Sequence, residues 1–353
     1  MNLLRGNLPG CKPLAALFLG CLAITISAQT HAKMLKDWLY WNSYAEWESY
    51  STQHSNNEYD AGSSWSLLST GLDAYYGNFS GHIYGSYRED TQKKPELERV
   101  QVAWSPTTWM TLSAGQNYLP FSYINTLSVS YAPTASLGLT FRENITLSLS
   151  YENFYFSAYT YKTDLKYWDI TQEDGATDDN LDNFGGDFTL YFPGNVVTVG
   201  CSYLSNLGDS DLFAAIFPDA AYMTEEVPVS AAYASVFWKR FGFIIEAIEA
   251  NKPFSENDFY GLLDGLKLRA TNAEMAYYFS SNAWILVGYR TTYMADITGL
   301  PAESYVLGLS NSFYNKRANI GFELNQTKPY PNAITLDEEP IRTGFAFKLA
   351  LSY

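Results

Sequence analysis

Phe345-Ala346-Phe347-Lys348-Leu349-Ala350-Leu351-Ser352-Tyr353 closes the sequence, and its alternation decides the fold. Phe345, Phe347, Leu349, Leu351 and Tyr353 share one parity; Ala346, Lys348, Ala350 and Ser352 share the other. Successive side chains of a strand point to opposite faces, so this segment has one apolar face and one small or charged face. Such a strand meets lipid on one side and water on the other.

The same period of two recurs upstream. Ile145, Leu147, Leu149 and Tyr151 alternate with Thr146, Ser148 and Ser150, and Ala318, Ile320, Phe322 and Leu324 alternate with Asn319, Gly321, Glu323 and Asn325. A soluble sandwich alternates as well, so the connections must decide. Strands are expected near 39–50, 65–76, 79–88, 98–105, 108–118, 144–152, 154–162, 184–192, 196–205, 229–238, 241–251, 266–279, 283–294, 304–313, 318–327 and 343–353. Short turns then fall at Gly77-Asn78, Pro106-Thr107, Asn153, Pro193–Asn195, Lys239-Arg240, Ser280–Asn282 and Tyr314–Arg317, and long polar segments fill the other gaps. Short turns at one rim and long loops at the other define an all-β, transmembrane, antiparallel up-and-down barrel of about 16 strands. Its short turns face the periplasm and its long acidic loops face outward. Tyr123–Phe141 leaves room for one further irregular strand. The terminal aromatic on the apolar face resembles the signature by which the barrel-assembly machinery takes up its clients, which makes that machinery an expected partner.

Residues 1–32 read as a signal peptide and 33–353 as the barrel. Arg5 and Lys12 supply a positive start, Leu14–Ile26 supplies an apolar run too short to span comfortably, and cleavage fits after Ala32 or Ala28. Removing residues 1–32 takes out two of the 22 basic and none of the 37 acidic residues, which moves the formal charge from −15 to −17. Cys11 and Cys21 go with it, so the single remaining Cys201 excludes an intrachain disulfide and a cysteine-rich metal site. Residues 33–353 contain no apolar run of spanning length, yet the chain holds 29 tyrosines and is 17% aromatic. Tyr and Trp suit a water–lipid interface, so the composition agrees with strands in an outer membrane, in contact with its lipid and lipopolysaccharide.

Few residues suggest catalysis. His54 and His82 are the histidines left after cleavage; His82 and Tyr84 share a face, but no serine follows either histidine in a hydrolase pattern. Asp209-Ser210-Asp211 lacks the glycine-centred loop and closing glutamate of a Ca²⁺ site and reads as a solvated turn. No phosphate-binding glycine loop occurs, and an acidic chain does not suit nucleic acid. No enzyme activity, cofactor or metal is expected.

The lumen carries the functional expectation. If the apolar faces meet lipid, Glu46, Glu48, Asp73, Arg88, Asp187, Glu246, Lys267, Arg269, Glu274, Arg290, Glu323 and Lys348 point inward and line a mixed-charge, water-filled channel. Arg88, Asp187, Glu246, Arg269, Glu274, Arg290, Glu323 and Lys348 are the candidates for solute contact. Tyr118, Pro120 and Phe121 are the candidates for a constricting loop. The acidic loops, dense between Thr163 and Asn183, read for the most part as a solvated rim bridged by divalent cations to lipopolysaccharide, and in the sharper reading as an electrostatic funnel for cations.

With the strands placed, the chain resembles the LbtU-type siderophore porins over most of 108–327. The likeness rests on Gly115-Gln116-Asn117-Tyr118-Leu119-Pro120-Phe121, Asp182-Asn183-Phe184-Gly185, Tyr203–Asp211 and Val287-Gly288-Tyr289-Arg290. It implies import of a ferric siderophore without energy-transducing periplasmic machinery. A first strand about seven residues past the cleavage site leaves no room for a plug domain. The expectation is an outer-membrane channel for a ferric siderophore or a similar small solute; the alternative is a general, weakly cation-preferring porin.

Overall fold

The computed structural model describes residues 33–54, 59–87, 96–122, 126–128, 130, 132–163, 166–167, 181–192, 194, 196–216, 222–223, 225–255, 258, 265–293, 298, 300–313, 317–330 and 341–352. The expected signal segment 1–32 and Arg88 lie outside them.

After a short β1 (Lys33–Lys36) come β2 (Leu39–His54), β3 (Tyr59–Tyr76), β4 (Phe79–Tyr87), β5 (Glu96–Thr107) and β6 (Met110–Tyr118). A long loop holding helix α1 (Pro133–Gly138) leads to β7 (Phe141–Tyr151), β8 (Phe154–Tyr161), the two-residue β9 (Lys166–Tyr167), β10 (Asn183–Tyr191) and β11 (Val197–Leu204). Helix α2 (Asp211–Ile216) and β12 (Tyr222–Met223) precede β13 (Val229–Trp238), β14 (Phe241–Ala250), β15 (Arg269–Tyr278), β16 (Ala283–Tyr293), β17 (Glu303–Phe313), β18 (Ala318–Lys328) and β19 (Arg342–Ser352).

Sixteen of these strands form one antiparallel ring. Each pairs with its neighbour along the chain, and β19 closes on β2 with Lys348 opposite Glu48. Closure removes every unpaired edge, which a strand in lipid requires because no water is there to satisfy its backbone. β1 pairs with β2 at Lys33↔Trp41, continuing the ladder past the point where Ser352 pairs with Tyr44. β9 and β12 pair with each other in a separate two-stranded sheet.

Register explains the two faces. Val236, Phe243, Met275, Val287, Leu307, Leu324 and Phe345 are successive cross-strand partners, so one apolar row runs over seven strands on the outside. Ile245, Leu309 and Tyr305 on that surface are about half exposed, as a lipid-facing belt must be. No helix of the described residues is long and apolar enough to span a membrane; the strands do so.

The sixteen expected strands all form, with ends displaced by a few residues. Three details differ. β5 runs through Pro106 and Thr107, and the turn falls at Thr108-Trp109, because a register shift between Trp104 and Thr107 accommodates a proline that cannot donate to the ladder. No strand forms among the described residues of 123–140; a helix does. The interior is not wholly polar, since Ile244, Ile248, Leu286 and Val306 face inward and are buried.

Gly115 sits within β6 at φ +140°, where a Cβ would stand 2.0 Å from the Val100 carbonyl oxygen. Its place at the head of the Gly115–Phe121 motif is therefore a backbone requirement. Gly115→Ala is expected to cost ~1–3 kcal/mol or more and to lower the folded fraction after detergent refolding, read as heat-modifiable migration on gels. Unchanged refolding would refute the steric argument.

Candidate functional site

The loop between β6 and β7 enters the barrel. Tyr118 ends β6 on the outer surface, its ring 5.1 Å from that of Phe141. The chain then turns inward through Leu119 and Phe121, both buried, with Pro120 half-buried between them. Ser122 holds a left-handed backbone at φ 70° and donates its N–H to Ser202 Oγ at 3.0 Å and its hydroxyl to Glu246. A non-glycine residue in that region costs of order 1 kcal/mol, offset by both bonds.

Further along, the loop binds two more wall carboxylates. Glu274 accepts from the Thr126 hydroxyl at 2.5 Å, the Leu127 N–H at 2.6 Å and the Ser128 hydroxyl at 3.0 Å. Glu323 accepts from the Ser130 N–H at 3.0 Å and from the Ser130 hydroxyl. Arg290 pairs with Glu274 at 3.3 Å and donates to Ser130 Oγ at 2.9 Å and to Ser128. Glu246, Glu274, Glu323 and Arg290 are each at most 4% exposed. The loop matches this wall because Ser122–Ser136 contains no acidic residue but is rich in hydroxyls. Burying carboxylates is costly unless several donors meet each one, and the loop supplies them. Leu127 also packs on Ala276, Leu286 and Val306, and its carbonyl accepts from Trp284 Nε1 at 3.2 Å. These contacts explain the apolar patch inside the barrel.

The loop thus lies against β14–β18. Next to it, where the ring continues from β18 through β19 to β2, Lys348 projects inward with its Nζ 3.1 Å from Glu46 and 2.8 Å from Glu48. A cavity of about 260 Å³ lies beside the loop, lined by Thr126, Leu127 and Ser128 from the loop and by Tyr44, Glu46, Arg317 and Lys348 from the wall. On β3 and β4, Asp73 accepts from Tyr84 at 2.5 Å and from Asn42, and meets His82 Nδ1 at 2.5 Å.

A second assembly fills part of the outer mouth. Phe121, Tyr161, Leu207, Phe213, Val227 and Phe254 belong to one fully buried cluster inside the ring. A polar clamp holds it. Asp209, wholly buried, accepts from Thr163 at 2.5 Å and Asn183 at 3.3 Å, and lies 4.0 Å from Arg142. Asp211 pairs with Arg142 at 3.5 Å, accepts the Phe141 N–H at 3.0 Å, and donates its own N–H to Leu139 O at 2.9 Å. The solvated turn expected at 209–211 is therefore a buried tie between two loops. Arg142→Gln is expected to cost ~3–5 kcal/mol by leaving Asp209 without its cation. A shift of the urea midpoint in detergent checks this, and an unmoved midpoint would refute it.

The expected site residues separate into groups. Glu246, Glu274, Arg290 and Glu323 come together beneath the loop. Asp187 faces inward in another network, accepting from Ser202 at 2.8 Å and Tyr233 at 3.0 Å. Lys348 stands on the adjoining strand β19, opposite Gly321 of β18 in the ladder. Tyr118 lies on the outer surface rather than in the in-folded loop, and Phe121 anchors the loop from the buried cluster. Arg269 and Lys267 do not point inward: both lie outside against Glu249, Lys267 at 2.7 Å and Arg269 at 4.0 Å. Parity gives the reason, since Arg269 is odd and the inward residues of β15, such as Glu274, are even. Parity sets Asp73 inward and His82 with Tyr84 on one face, but does not show that they meet with Asn42 around one carboxylate, and Arg142 is not among the expected residues.

A closed ring of sixteen two-faced strands, girdled by lipid-facing apolar rows and narrowed by an in-folded loop, is an outer-membrane β-barrel of the porin fold. The outer membrane channel DcaP of Acinetobacter baumannii shares it with a TM-score of 0.56 at 10% identity, over 89% of this chain and 97% of that one. OmpF of Salmonella typhi, in complex with daunomycin, matches at a TM-score of 0.58 and 11% identity, over 89% and 98% of the two chains. A mutant of Rhodopseudomonas blastica porin matches at 0.56 and 9%, over 89% and 100%. No family model matches the sequence. A UPF0422 protein of Coxiella burnetii is 30% identical over 240 residues, which is 66% of this chain and 49% of the relative. The chain thus spans about half the length of the curated relative it matches.

Proposed function

We propose that the chain is a passive diffusion channel for small hydrophilic solutes with a weak preference for cations. The carrying observation is the division of the lumen: the loop takes up the wall at β14–β18, and the adjoining wall of β19 and β2–β5 is left with charged groups. Among the described residues of that wall, Glu46, Glu48, Asp73 and Glu98 stand against Lys348, Arg99 and Arg317, with His82 beside Asp73, an acidic excess in a chain of net charge −15. Carboxylates in such a passage raise the local concentration of cations.

The resemblance to siderophore porins receives less support from this lumen. An anionic ferric chelate calls for a basic track built from Arg88, Arg269, Arg290 and Lys348. Arg269 lies outside the barrel, Arg290 is under the loop, Lys348 sits between two glutamates, and Arg88 is outside the described residues. The charge pattern favours general diffusion over that alternative, and transport over catalysis.

Purified barrel in a planar bilayer is expected to conduct and, in a tenfold KCl gradient, to give a reversal potential of cationic sign. Liposomes carrying it should swell in neutral sugars faster than they admit a ferric polycarboxylate of similar size. Bilayers without conductance would refute the channel, and faster flux of the ferric chelate would restore the siderophore reading.

A further inference from the structure

The two basic residues that face outward, against expectation, belong to a larger arrangement at the outer rim. β15–β18 end there, opposite the short turns. Arg269 pairs across the ladder with Glu249 and Tyr293, and two residues lower Thr271, Thr291, Glu303 and Lys328 are successive partners over four strands. All have outward parity. Lys267 and Arg269 have side chains 42% and 56% exposed, and Lys328 is exposed. The basic pair and Lys328 stand three strand spacings apart, about 14 Å.

Between them lies a surface suited to a sugar. The hydroxyls of Thr271 and Thr291 are 2.6 Å apart, and below them the rings of Tyr289 and Tyr305 pack at 5.0 Å. Tyr289, Tyr293 and Tyr305 are 41%, 58% and 52% exposed, which marks the level of the membrane interface. Cations just above an aromatic girdle stand at the height of lipid phosphates. Each basic point is flanked by one carboxylate, Glu249 by Lys267 and Arg269 and Glu303 by Lys328, so that among the described residues of this patch three cations stand against two anions.

We infer that β15–β18 carry a binding site for the phosphorylated glycolipid of the outer leaflet. Lys267 and Arg269 take the phosphate at one end of its disaccharide headgroup, Lys328 takes the phosphate at the other, and the threonine and tyrosine surface lies between. Arg can engage phosphate with two parallel hydrogen bonds, and Lys acts as a point charge. The site is independent of the channel and needs no lumen residue.

The test uses the full barrel in detergent, with bound lipid counted by native mass spectrometry. Three lipids are added: a bis-phosphorylated lipid A, its monophosphoryl form, and phosphatidylglycerol. Wild type is expected to retain the bis-phosphorylated lipid at least tenfold better than phosphatidylglycerol. Lys267→Gln with Arg269→Gln, and separately Lys328→Gln, should each lower retention severalfold, and Lys239→Gln on a short turn should not. Heat-modifiable migration and unchanged conductance show that the variants are folded. Equal retention by wild type and the Lys267/Arg269/Lys328 triple variant would overturn the site. Equal retention of phosphatidylglycerol would reduce it to general anionic attraction, and equal retention of the monophosphoryl lipid would overturn the two-point geometry.

Discussion

Replacing Glu274 by leucine is expected to free the in-folded loop while leaving the barrel closed. Glu274 is 3% exposed and accepts from Thr126, Leu127 N–H, Ser128 and Arg290. Leucine fills similar volume but accepts nothing, so several donors lose their acceptor at once and Arg290 loses the carboxylate facing it. Removing one member of a buried ion pair costs ~3–5 kcal/mol, which shifts loop docking by roughly two to four orders of magnitude. The ladder is untouched, because Glu274 contributes to it only through backbone bonds to Ile244 and Gly288. Single-channel recordings should show larger and noisier conductance, while migration on gels still reports a folded barrel. Glu274→Gln keeps one acceptor oxygen and should fall between. Identical conductance in wild type and E274L would mean that the loop is held by something other than its carboxylate partners.

Lys348→Met is expected to make the channel markedly more cation-selective. Lys348 bridges Glu46 and Glu48 at the cavity facing the loop, and its side chain is 17% exposed. Without it two carboxylates remain adjacent with no ammonium between them. One charge acting at about 4 Å is worth ~1 kcal/mol in bulk water and ~4 kcal/mol at the effective dielectric near a protein surface. Taking the lower part of that range for a water-filled passage, the cation-over-anion permeability ratio should rise about tenfold at low salt. The gain should shrink in 1 M salt, where screening acts within about 3 Å. Glu46→Gln with Glu48→Gln should move the ratio the other way. A reversal potential unchanged by K348M would place the ion path elsewhere in the lumen.

How far these sites were legible differs from one to the next. Parity located Glu246, Glu274, Arg290, Glu323 and Lys348 on the inner face, since a strand leaves each side chain only two directions. Nothing in the order of residues said that the first four meet one loop, because Ser122–Ser136 reads simply as a polar connection. Arg269 shows the limit of applying parity to residues at a strand's end, where an odd position was set beside an even one. Asp209 looked solvated because its partners Thr163, Asn183 and Arg142 are remote in sequence.

While the structure excluded a further strand among the described residues of 123–140, the sequence by itself determined the alternating strands, about sixteen in number, their up-and-down order and the lipid-facing belt. Those follow from a period of two and from connection length, both local quantities. Only the tertiary structure decided where the long loop goes, which carboxylates hold it, and which charges are left to the passage. Such contacts join residues more than a hundred positions apart, and their partners are set by the curvature of the closed ring rather than by any neighbour along the chain.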